Sequence, residues 1–157
     1  MIEQAGNPSL KQALTEHLDI TEQQKKRLDR VKKLMAGDSN ASKEPGFLEK
    51  LFGGTKCKGM EGLIKEGEHL MKQNMDAEVK DAAIIASAQK IEHYEICGYG
   101  TARAYAMQLG LSEVEALLTE TLNEEYDADD NLTALAFFDV NLEAEHADQK
   151  RQRTRTK

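Results

Sequence analysis

Between Asp81 and Leu109 one stripe of side chains recurs at alternating three- and four-residue steps: Ile85, Ala88, Glu92, Glu95, Tyr99, Ala102, Ala106 and Leu109. That spacing holds residues on one face of a helix, so the segment must be a long helix with a packed side. Two carboxylates lie in the middle of that side. An unpaired carboxylate leaves water at such cost that it takes up a proton, finds a cationic partner or binds a metal. The rest of the chain must therefore fold so as to bring these two acids a partner.

Two further seams carry the same interruption. From Leu10 to Met35 the steps select Leu10, Leu14, His17, Thr21, Gln24, Leu28, Val31 and Met35, with three polar residues at the centre. From Leu118 to Ala136 they select Leu118, Leu122, Glu125, Asp129, Leu132 and Ala136, with two acids one turn apart. In an antiparallel bundle these bands meet at one level between apolar layers. Oxygen and imidazole donors of this kind suit iron or manganese better than a thiolate-loving metal, and the metal's charge offsets repulsion among the acids. The same residues have plainer readings, His17 as a hydrogen-bonded core histidine and the acidic run from Glu124 to Asp130 as a solvated face.

The punctuation predicts where the helices start and stop. Asn7-Pro8 is a helix start, and Gly37 with the polar residues after it is a stop, the helix ending near Ala36. Residues 38–56 form a connection in which Phe47, Leu48, Leu51 and Phe52 make one apolar turn. A short amphipathic helix runs from Cys57 to about Lys72, with Gly67 marking a close backbone approach. Asp76 caps the next helix, Gly110 ends it, Ser112 to Glu115 forms a capping box, and the last helix reaches about Val140. Short links make the long helices antiparallel neighbours, so the fold class is all-α, an antiparallel bundle. Residues 1–5 followed by Gly6 read as the end of a helix, as though the first bundle helix were truncated.

With 157 residues, a single domain is expected over residues 1–141, followed by a disordered basic tail at 142–157 holding Lys150, Arg151, Arg153, Arg155 and Lys157. The net charge of −7 argues against nucleic acid as the main partner, because phosphate binding needs a basic face. No apolar run is long enough for a signal peptide or a membrane span, and two cysteines without a C-x-x-C pair suit a reduced, cytoplasmic protein. Cys57 and Cys97 are expected to fill helix interfaces. The chain lacks a nucleophile elbow, a phosphate loop and a zinc-protease motif, and nothing in it names an organic substrate.

Four segments resemble the YciE/YciF family of bacterial ferritin-like stress proteins: LTEHLDITEQQ at 14–24, CKGMEGLIKEG at 57–67, DAAIIASAQKIEHYEICGYG at 81–100 and TLNEEYDAD at 121–129. The resemblance covers residues 1–141. It implies a ferritin-like four-helix bundle, a homodimer and a dinuclear iron or manganese site. Carried over by position, the metal ligands are His17, Glu92, Glu95, Glu125 and Asp129, with Glu124 a spare donor and Tyr99 and Gln24 orienting the ligands. An acidic residue common between the family's histidine and threonine is replaced here by Ile20, and a glutamate-bearing helix that precedes them in the family is largely missing from this chain. The rival reading is a non-enzymatic helical dimer whose polar seam sets its assembly.

Overall fold

Asn7 starts the first long helix as predicted: its side-chain oxygen accepts the Leu10 N–H at 3.0 Å, and Pro8 follows in the first helical position. The computed structural model describes residues 1–37 and 57–155. After a 3₁₀ turn at Ile2–Gln4, the helices are α1 (Pro8–Gly37), α2 (Lys58–Met71), α3 (Ala77–Gln108) and α4 (Ser112–Leu135). A π-turn (Ala136–Val140) then leads into α5 (Asn141–Arg155). The apolar turn expected around Phe47 lies outside the described residues.

The end of α3 shows how local chemistry sets the topology. Gly110, at φ +70°, takes the left-handed conformation that a β-carbon disfavours. Its N–H donates to the Met107 carbonyl at 3.1 Å, and the Leu111 N–H to that of Ala106 at 2.9 Å. These two bonds close the helix and reverse the chain, so α4 packs back along α3. The closure makes Leu111 the cap residue of α4. Ser112 is therefore already helical, and the expected capping box does not form.

The bundle is built around α3 and α4. Helix α2 packs on α3, and α1 packs on α4. Gly67 is buried where α2 meets α3, but a β-carbon there would make ordinary contact with Ser87 Cβ at 3.6 Å and displace only the flexible Met1 methyl at 2.9 Å, so the helix spacing does not depend on a glycine. One apolar cluster joins Leu10, Leu14, Met71, Ile84, Ile85 and Val140. A second joins Val31, Met35, Ala106, Val114 and Leu118 toward the far end. The polar band lies between them, as the three seams require.

Two expectations need correction. The basic C-terminal stretch is helical through Arg155 in place of a disordered tail. It continues α4 through the π-turn, docks against α3, and carries strong helix formers with a Gln149-to-Glu145 side-chain hydrogen bond at 3.0 Å. Cys57 and Cys97 are exposed, because each sits on an outer edge and not under a helix. Asp81 anchors the N-terminal segment: its buried carboxylate accepts the N–H groups of Gly6 and Asn7, both at 2.8 Å. The Asn7 side-chain amide in turn donates to Asp139 and Glu143, each at 3.2 Å, tying the chain start to α5. No helix among the described residues is long and apolar enough to cross a membrane.

Candidate metal centre

His17 from α1, Glu92 from α3 and Glu125 from α4 meet between the two apolar clusters. One donor atom from each lies within 4.8 Å of the other two. His17 Nε2 is 3.3 Å from Glu92 Oε1 and 3.9 Å from Glu125 Oε2. Glu92 is 3% exposed and Glu125 0%, whereas His17 keeps partial access to a small cavity of about 190 Å³ between α1 and α4.

The donors are short of partners. With both glutamates ionised, Glu92 Oε2 and both Glu125 oxygens are buried without a donor, and His17 Nδ1 and Gln24 Nε2 are buried without a partner. Native proteins pair nearly all such atoms, so several orphans converging on one point call for a missing partner. Without a cation the acids respond by holding protons. Burial pushes Glu92 up to about 9, helped by the hydrogen bond its acid form gives Glu125 and by the charges of Glu125, Glu95 and Asp129. Burial raises Glu125 as well. Burial and the charge of Glu125 push Glu95 up to about 7. An oxygen-rich donor set with one imidazole and excess negative charge fits a hard or borderline divalent cation.

The other candidate residues divide. Glu95 feels the charge of Glu125 but stands outside the three-residue group, half-buried beside the groove between α1 and α2. Asp129 turns toward α3's outer side, where Gln89 Nε2 donates to it at 3.0 Å and His93 Nε2 lies at 3.5 Å. Thr21 is exposed, and its hydroxyl donates to the His17 carbonyl at 2.9 Å. Tyr99 packs on the second apolar cluster, with its hydroxyl raised by burial and by Glu95 and Glu125.

Glu124 is held by Arg27 and so is not a spare donor. Arg27 donates to its two oxygens at 2.7 and 2.8 Å and to the buried Thr121 hydroxyl at 2.9 Å. Burial alone would raise Glu124, but the hydrogen bonds from Arg27, the nearby Gln24 amide and the charges of Arg27 and His17 together outweigh it and leave the acid below its ordinary value. Sequence reasoning passed over Arg27, although it lies three residues from Gln24. It also passed over Thr121, which sits one turn before Glu125.

Comparison with known proteins places this arrangement in a family. A domain of unknown function, DUF892, matches residues 1–145. The chain is 42% identical over 141 residues to Protein YciF of Escherichia coli strain K12, covering 90% of this chain and 78% of that protein. The crystal structure of the E. coli stress protein YciF superposes with a TM-score of 0.76 at 41% identity, covering 89% of this chain and 80% of that one. YcfI from Rhodopseudomonas palustris, to which a structural role is ascribed, gives 0.73 at 41% identity over 87% and 78% of the two chains. The chain therefore belongs to the DUF892 family, the helical-bundle group that includes the YciE/YciF stress proteins.

Proposed function

We propose that the protein is a ferritin-like stress protein that binds iron or manganese through His17, Glu92 and Glu125, with Glu95 as a further donor for a second ion and Asp129 joining it only by turning from Gln89 and His93. The observation that carries this reading is the set of orphaned buried donor atoms on His17, Glu92 and Glu125. A cation bound there supplies charge compensation and, if it is iron or manganese, redox chemistry toward oxygen or peroxide. The chain's own groups position and insulate it. Arg27 fixes Glu124 away from the donors, Gln24 offers a buried amide to orient a carboxylate, and the two apolar clusters exclude bulk water from above and below. The homodimer and the cytoplasmic location implied by the resemblance belong to the same reading.

The test is elemental analysis of protein purified without chelator, followed by anaerobic ferrous titration. Stoichiometric uptake that disappears in the Glu92→Gln, Glu125→Gln double variant is expected. Folded wild-type protein that takes up no iron or manganese refutes the reading.

A second reading has its own support. Glu92 and Glu125 can share a proton, which satisfies part of the cluster without metal, and a structural role is ascribed to the relative YcfI. On that reading the protein is a non-enzymatic assembly element whose polar layer fixes helix register. It predicts that folded protein takes up no cation.

A further inference from the structure

Two openings lead from the surface to the cation centre, one on each side of α1. Toward α2, a groove reaches His17, Glu92 and Glu95 past Leu14, Leu18 and Ile64, with Glu3 also in its lining. Toward α4, the cavity of about 190 Å³ reaches His17 and Glu92 past Glu16, Glu124 and Asp127. This second opening is graded in depth. Glu16 and Asp127 are exposed, Glu124 is part-buried, and Glu92 is 3% exposed. Ionised Glu92 has its Oε2 buried there without a donor. Glu124 is paired with Arg27, but among the described residues no lysine or arginine pairs with Glu16 or Asp127. Glu16 accepts only a neutral donor, the Gln12 amide at 2.8 Å, which leaves its charge uncompensated. From this arrangement we propose that the α1–α4 cavity is the entry port of the centre, where Glu16 and Asp127 hold a hydrated divalent cation before it passes to His17 and Glu92. The port rests on the cation centre proposed above.

Helix geometry builds the passage. On α1, Ala13, Glu16 and Ile20 follow at three- and four-residue steps, and on α4, Glu124, Asp127 and Asn131 do the same, so each helix presents one continuous face to it. The cavity has room for an ion with several of its waters, at about 30 Å³ for each water. Exposed carboxylates can hold such an ion through its hydration shell, and the shell is given up only where buried donors replace it. Between the acids, Ala13, Ile20 and Ala128 offer no donor atom, so nothing in the wall competes with Glu92 for the ion. A cleft lined by charge of one sign focuses the field and raises the local concentration of the opposite ion, speeding association by tenfold or more. The groove toward α2 has a mostly apolar lining and concentrates a cation less.

The experiment uses the full chain freed of metal. Divalent cobalt, whose visible absorption changes on ligation, is mixed in at low ionic strength, and both the rate of loading and the amount bound at saturation are recorded. In the Glu16→Gln, Asp127→Asn double variant the loading rate should fall by about tenfold, with the amount bound at saturation unchanged. Added salt should slow wild type toward the variant and leave the variant nearly as it was. Asp127→Lys, which exchanges an attraction for a repulsion, should slow loading by a similar factor. Glu3→Gln, in the other opening, should load like wild type. Loading at the wild-type rate in the double variant, or slowing by Glu3→Gln instead, overturns the port and leaves the centre standing. A double variant that binds less cobalt at saturation makes Glu16 or Asp127 a ligand and also overturns the port. Folded wild-type protein that binds no cobalt overturns the centre and the port together.

Discussion

Replacing Glu92 by Gln tests the buried acid cluster quantitatively. Glu92 is 3% exposed and is pushed up to about 9 in the folded, cation-free protein, against an ordinary value of 4.5. Between these values the folded state holds a proton that the unfolded state has released, so stability falls as pH rises from about 4.5 to about 9 and levels off outside that window. Folding at pH 7 must protonate a carboxylate at ~1.4 kcal/mol per pH unit, which amounts to about 3 kcal/mol. Glutamine has the shape of the neutral acid and pays no such cost. In chelator, Glu92→Gln should match wild type near pH 4.5 and exceed it by about 3 kcal/mol at pH 7, with a still larger margin at pH 8.5. Urea denaturation followed by circular dichroism at these pH values measures the difference. Manganese at a hundred times its dissociation constant should restore about 3 kcal/mol to wild type and nothing to the variant. A margin that does not change with pH would mean that Glu92 stays ionised in the fold, and the electrostatic reasoning would be wrong.

Other perturbations probe the frame around the site. Asp81→Ala removes the acceptor of the buried Asn7 N–H and the part-buried Gly6 N–H and should cost about 2–3 kcal/mol by urea denaturation, and Asp81→Asn, which keeps one acceptor, less. Leu10→Ala opens a cavity at a fully buried position and should cost 2–5 kcal/mol by the same assay, roughly in proportion to the volume left empty. Arg27→Ala releases the part-buried Glu124 and removes the donor to Thr121, whose hydroxyl keeps its own bond to the Leu117 carbonyl, so a loss of about 1–2 kcal/mol that shrinks in high salt is expected from thermal unfolding at two ionic strengths.

The three-four spacing alone identifies His17, Glu92 and Glu125, because a buried donor must lie on a packed stripe whatever its partner. It places Glu95 and Asp129 on the same stripes but cannot say that Asp129 points away. A four-residue step carries a side chain about 40° past a full turn, enough to aim a residue one turn along at a different neighbour. Asp129 accordingly meets Gln89 and His93 on the outer side of α3. Arg27 escapes such a reading for a related reason. Its acids, Glu120 and Glu124, lie on another helix, and nothing in the local pattern says which helices adjoin. The C-terminal helix is hidden by its charge, which marks solvated chain unless one knows that Asn7 and α3 provide a docking face.

The π-turn at Ala136–Val140 acts as a phase shifter. A wide turn adds one residue to the rotation, about 100° relative to an uninterrupted α-helix, and so sets which side of α5 looks inward. With that offset Val140 is fully buried, Glu143 reaches Asn7, and Phe137 and Phe138 are turned outward at 72% and 83% exposure. Deleting one residue here would leave both flanking helices chemically intact yet swing α5 through slightly more than a quadrant, uncoupling the two ends of the chain without altering a single contact inside the bundle's middle layer.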